Sequence, residues 1–120
     1  MHIEVRTRGE VDVVDVTVDS AGNVGEWTLH ERLEQLLAAG HTLFILNMTG
    51  GPTLDSDWLG ELVASGERVR KHQGAVKLVV TPQQLDVLAA IKLDALFETF
   101  QDEEDALDSF VPWYATDGIP

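Results

Sequence analysis

The chain has no cysteine. A disulfide framework, a thiolate metal site and a cysteine nucleophile are therefore excluded, while the redox compartment stays open. Positive charge is scarce: 8 lysines and arginines stand against 21 aspartates and glutamates, a net charge of −13. Such a surface repels phosphate backbones and anionic headgroups, which argues against nucleic-acid and membrane roles and would steer a basic partner inward. Long apolar runs are missing, and residues 1–10 alternate polar and apolar side chains where a secretory signal would need a hydrophobic core. A cytoplasmic protein is expected. Repeats, low-complexity tracts and linkers are missing too.

What remains is an ordinary globular balance, 44% hydrophobic and 24% charged in 120 residues, which suits one independently folding domain. Ile3 and Val5 alternate with His2, Glu4 and Arg6, the period of a first strand with one buried face. Val11, Val13, Val14, Val16 and Val18 predict a second, whose doubled valine implies either a bulge or a strand buried on both sides. Gly22, Asn23 and Gly25 are turn formers, and Thr28 precedes Glu31 at the spacing of a capping box. Leu29, Leu33, Leu36 and Leu37 then share one face of a helix ending near Ala39, with Gly40 as its left-handed cap.

Leu43 to Leu46 is uninterrupted by polar residues and predicts a central, parallel strand. A loop of Thr49, Gly50, Gly51, Pro52 and Thr53 follows. A second helix carries Leu59, Leu62, Val63 and Val69 inward, with Asp57 and Glu61 in its first turns and Arg68, Arg70, Lys71 and His72 in its last, matching the helix dipole. It should stop at Gly74. Val76 to Val80 is a further strand. Thr81, Pro82 and Gln84 start a third helix that turns Leu85, Leu88 and Ala89 inward. Leu96, Phe97 and Phe100 suggest a short last strand, and the acidic stretch Asp102 to Asp108 a closing helix with Ala106, Leu107 and Phe110. The expected fold is an α/β domain over residues 1–111, a mixed sheet whose later strands are parallel with helices packed against it; 112–120 forms a tail in which Trp113 and Tyr114 could pack back.

In such a sheet, ligands and partners are met at the carboxyl ends of the strands. The turn after Leu46 leads through Leu54, Asp55 and Ser56 into Asp57, Trp58, Leu59 and Gly60. Ser56 stands at the start of a helix, where free N–H groups and the positive dipole end favour an anion, including a phosphate on the hydroxyl itself. Spacing alone also accommodates a plain cap at Asp55 or Ser56. Thr49, Gly50 and Gly51 are not followed by Gly-Lys-Ser/Thr, so a nucleotide loop is not indicated. His2, His30, His41 and His72 are scattered, so no metal is assigned, and the surroundings of Ser56 lack a Gly-x-Ser-x-Gly elbow, so neither catalysis nor a cofactor is expected.

The element order, the strand Leu43 to Leu46, and Asp55-Ser56 followed by Leu59-Gly60 make nearly the whole chain resemble the STAS domains, and within them the bacterial anti-sigma factor antagonists, whose pattern here is Asp-Ser-Ser/Thr-Gly-Leu-Gly. The resemblance implies a non-enzymatic switch in transcription regulation. Ser56 would be phosphorylated by an anti-sigma factor with serine kinase activity, only the unmodified form would bind that partner, and a serine phosphatase would reset the switch. Asp55, Asp57, Trp58, Leu59 and Glu61 would face the partner, on a helix from Asp57 to His72, and the protein would be a monomer or weak homodimer. Two residues depart from the pattern: Asp57 replaces the second serine or threonine, and Trp58 the glycine. Asp57 is a weak mimic of phosphate, −1 against roughly −1.5 to −2. Trp58 is either an exposed anchor or part of the core. The alternative implied by the same resemblance is a structural subunit of a stressosome-like scaffold with no obligatory phosphorylation.

Overall fold

The computed structural model describes residues 2–17, 29–51 and 53–110. Val18, the turn formers Gly22, Asn23 and Gly25, Thr28, Pro52 and the tail from 111 onward lie outside them. Five strands form one sheet in the order β1 to β5: β1 (His2–Arg8), β2 (Val11–Thr17), β3 (Leu43–Gly50), β4 (Ala75–Val79) and β5 (Glu98–Phe100). The β1–β2 pair is antiparallel and the other pairs are parallel, which is the mixed sheet expected from the sequence. Four helices follow the strands: α1 (Leu29–Ala38), α2 (Ser56–Lys71), α3 (Pro82–Ala90) and α4 (Glu103–Asp108), with a 3-10 turn at Leu93–Ala95.

The alternation of each strand sorts its side chains onto two cores. Val14, Val16, Phe44, Leu46, Met48 and Leu78 meet α1, α2 and α3 through Leu29, Leu33, Leu37, Trp58, Leu62, Val69 and Leu88. Val11, Val13, Ile45 and Val79 point the other way and meet Ala106, Leu107 and Phe110. The doubled valine of β2 thus marks a strand buried on both sides; its pairing with β1 is unbroken there, and the shift against β3 comes later, between Asp15 and Thr17.

Helix ends follow the sequence closely. Gly40 adopts φ +98, and the Gly40 and His41 N–H groups donate to the Leu37 and Leu36 carbonyls, the paired bonds of a Schellman cap. At the end of α2 the same pair of bonds runs from Gln73 to Arg70 and from Gly74 to Val69, so the left-handed residue is Gln73, φ 59. Gly74 is required for another reason: a Cβ there would lie 2.3 Å from the Thr42 carbonyl oxygen. The capping box Thr81/Gln84 is present in full.

Three local expectations are corrected. β3 continues through Thr49 and Gly50, so the loop begins only at Gly51, because Thr17 extends β2 far enough to pair with Gly50. Ala89 is exposed, and the inward face of α3 is carried by Gln84 and Leu88, since Gln84 Nε2 donates to the Met48 carbonyl at 2.8 Å. Leu96 precedes β5 and is exposed, whereas Phe97 is buried against Gly66 of α2.

Short α4 is pinned from two directions. Arg6 and Arg8 of β1 reach Glu103, and Arg8 also reaches Glu104 at 2.7 Å. Hydrogen bonds to Asp15 and then to Glu103 raise the Arg6 pKa, and those from Arg6 and Arg8 hold the Glu103 carboxyl below its usual range against the opposing effect of burial. From β4, the buried Lys77 Nζ donates to Ser109 Oγ at 2.7 Å and sits 4.2 Å from the centre of the Phe110 ring.

Candidate functional site

The site expected at the carboxyl end of the central strand is built by the connection from β3 to α2. Asn47, near the end of β3, accepts from the Thr49 N–H at 3.1 Å and from its hydroxyl at 2.6 Å, while its amide donates to Asp15 at 3.1 Å. Gly51, with φ +116, turns the chain in a conformation that a side chain would strain. Leu54 is then buried in the main core, which fixes the distance between the turn and the helix.

Asp55 is the N-cap of α2: its Oδ1 accepts from the Trp58 N–H at 3.0 Å and its carbonyl from the Leu59 N–H at 2.9 Å. Of the two capping candidates in the sequence, the aspartate takes the role. Ser56 is therefore the first residue of α2, exposed, with its hydroxyl engaged by no other described residue. The N–H groups of Ser56 and Asp57 precede the first carbonyl that helical bonding could offer them, and they face outward with the positive end of the dipole. Asp55 and Asp57 flank the serine with two exposed carboxylates, so an anion here meets two attractive donors and two repulsive charges.

The five residues expected to face a partner divide. Asp55 and Asp57 are exposed, and Leu59 is half-buried against the core. Trp58 is 3% exposed and lies in the main core with Leu62 and Val69. Its indole is thus unavailable as a surface anchor, because α2 turns that position toward the sheet. Glu61 points at α1, where its carboxylate accepts from the His30 backbone N–H at 3.2 Å and from His30 Nδ1 at 2.9 Å. Beside the loop, a cleft of about 250 Å³ is lined by Gly51, Thr53, Leu54, Thr81, Gln83, Gln84 and Val87.

One feature at the opposite end of the sheet has no signal in the sequence. Asp12, 2% exposed, is held by His41 Nδ1 and by the Thr7 hydroxyl at 3.3 Å. Asp12 and His41 are far apart in the chain and are brought together only by the pairing of β2 with β3. Among the described residues no group of three or more histidine, aspartate or glutamate side chains is arranged to hold a metal, and no helix is long and apolar enough to cross a membrane.

No protein-family model matches the sequence, and no curated protein does. Solved structures do match the fold. A crystal structure of an anti-sigma factor antagonist from Mycobacterium paratuberculosis superposes with a TM-score of 0.70 at 22% identity, covering 90% of this chain and 92% of that one. An anti-sigma-factor antagonist (STAS) domain protein from Planctomyces limnophilus gives 0.68 at 20% identity, over 91% and 97% of the two chains. A Thermotoga maritima protein solved by NMR gives 0.73 at 17% identity, over 90% and 87%. With nearly the whole of each chain aligned at low identity, these likenesses establish the STAS fold.

Proposed function

We propose that this STAS-fold chain is a protein-binding switch of the anti-sigma factor antagonist type, controlled by phosphorylation of Ser56. The observation that carries the reading is the exposed Ser56 on the first turn of α2, whose hydroxyl no other described residue engages while Asp55 takes the capping bond. A phosphate there would bring roughly −1.5 to −2 charge to the rim of the surface that α2 presents. The proposed partner is an anti-sigma factor with serine kinase activity, and a serine phosphatase would restore the bound form. The antagonist names of the structural neighbours support this assignment. Exposed Asp55 and Asp57, half-buried Leu59 and the outer face of α2 would meet the partner; Trp58 and Glu61 would contribute by holding α2 against the core and α1.

The test is phosphotransfer from ATP by such a kinase from the same cell. Ser56→Ala is expected to abolish labelling and keep binding. Equal labelling of the variant would move the site elsewhere. Exposed Asp57 favours a second reading, a subunit of a stressosome-like scaffold with no obligatory phosphorylation, because its charge opposes a phosphate next door. Solution mass separates the two: a monomer or weak dimer fits the switch, a large assembly the scaffold.

A further inference from the structure

β1 ends the sheet, and β2 is the only described strand that pairs with it. An edge strand carries a row of unpaired N–H and C=O groups, which proteins blunt by shortness, proline, lysine or a bulge. β5, at the other edge, is only three residues long. β1 has none of these devices: it runs for seven residues, contains neither proline nor lysine, and keeps an unbroken register with β2. Its arginines do not shield the edge either, because Arg6 is drawn back to Asp15 and Glu103, and Arg8 to Glu103 and Glu104.

The hairpin decides which groups face outward. Gly9, with φ +65, and Glu10 make a two-residue turn between the paired Arg8 and Val11. Such a turn is closed by a hydrogen-bonded pair, and bonded and non-bonded pairs then alternate along an antiparallel ladder. Arg8, Arg6 and Glu4 thus bond to β2, whereas Thr7, Val5 and Ile3 turn their N–H and C=O groups away from the sheet. Ile3 and Val5 are also only half-buried, at the margin of the main core.

The order of side chains along the strand selects the occupant. We infer that the outer edge of β1 pairs antiparallel with β1 of a second copy, about a two-fold axis at Val5. In that register Val5 meets Val5, Ile3 meets Thr7, and Glu4 stands across from Arg6 on both sides of the axis. Opposite charges directly across a ladder stabilise it, and like charges oppose it. The two neighbouring registers that keep the same outward groups paired set Glu4 against Glu4 or Arg6 against Arg6, so the strand favours one register over its alternatives. Although each chain has a net charge of −13, β1 itself carries Glu4 against Arg6 and Arg8, and the two copies meet along a stretch that is not acidic. The pairing joins the two sheets into one and covers Ile3 and Val5. It does not depend on the reading of Ser56.

Sedimentation equilibrium of the full chain at up to about 1 mM is expected to show a reversible monomer–dimer equilibrium. Hydrogen exchange followed by NMR locates the contact. In concentrated samples the Ile3, Val5 and Thr7 amides are expected to exchange at least about tenfold more slowly than in dilute ones, while those of Glu4 and Arg6, already bonded to β2, change little. Val5→Pro removes an outward N–H and leaves the bonds to β2 in place, so it is expected to abolish the dimer. Glu4→Arg, at an exposed position, sets like charges across the axis; it is expected to weaken dimerisation about tenfold and serves if Val5→Pro fails to fold. A chain that stays monomeric up to about 1 mM would overturn the inference and leave the edge to an extended segment of another protein. So would a dimer that a folded variant retains undiminished, or one whose protected amides lie outside β1.

Discussion

Glu61 of α2 caps α1 from outside it, accepting from both the backbone N–H and the ring of His30. An ionised carboxylate only accepts, so Nδ1 carries the proton, and a free donor in the first turn of α1 is satisfied by a neighbouring helix. Through this bond the helix that begins at Ser56 fixes the start of the helix beside it.

Removing that carboxylate should therefore loosen two helices at once. Glu61→Ala is expected to lower stability by about 1–3 kcal/mol, the range for losing hydrogen bonds to a charged group, with Glu61→Gln milder. Urea unfolding of Glu61→Ala, His30→Ala and the double variant measures the coupling. Additive losses would show that the two residues do not act as a pair.

The two glycines within α2 should respond in opposite directions. A Cβ at Gly60 meets nothing within 4 Å, so Gly60→Ala is expected to stabilise the isolated protein by roughly 0.5–1 kcal/mol. If the outer face of α2 docks a partner, the same change should weaken that binding. A Cβ at Gly66 would lie 2.9 Å from the Phe97 ring, so Gly66→Ala is expected to destabilise. Thermal melts of the two variants decide it; a stable Gly66→Ala would contradict the packing described.

Ser65 is fully buried on α2, and its hydroxyl has no hydrogen-bond partner among the described residues. Ser65→Ala removes an unsatisfied polar atom with almost no change of volume, so it is expected to leave stability unchanged or raise it by up to about 1 kcal/mol. A clear loss in denaturant unfolding would mean that the hydroxyl is engaged.

Acid should release α4 before it unfolds the sheet. The Glu103 pKa is lowered in the folded state, first by the Arg6 hydrogen bond, so its contribution is full above the ordinary value of 4.5 and is lost as pH falls through the lower folded value. Asp105 has the opposite sign: Asp102 raises its pKa, so its repulsion weakens folding at neutral pH and is relieved as the group protonates. Glu103→Gln is expected to lower stability at neutral pH by about 1 kcal/mol or less and to flatten the profile below pH 4.5. An unchanged acid profile would mean that the arginine contacts are not formed.

Much of this architecture was legible because it is local. Gly40, the Thr81/Gln84 box and the apolar run Leu43 to Leu46 each have a periodicity or a capping pattern confined to a few neighbours, and they fall where expected. The helix that starts at Ser56 was legible for the same reason, whereas the role of the serine itself was implied only by the family resemblance. What the sequence left open is set by partners far along the chain. Trp58 could be placed inside or outside only by the rotation of α2 on the sheet, and Glu61 found His30 because α1 and α2 pack side by side. The extension of β3 through Thr49 depends on the reach of β2, and the pairing of Asp12 with His41 on strand register.

Control of binding by Ser56 is tested by comparing the affinity of the unmodified chain and of the chain phosphorylated at Ser56 for the anti-sigma factor of the same cell. Tight binding of the unmodified form and a loss of at least about tenfold on phosphorylation, some 1.4 kcal/mol or more, are expected, with Ser56→Ala binding like the unmodified chain. Equal affinity of the phosphorylated and unmodified forms would contradict it.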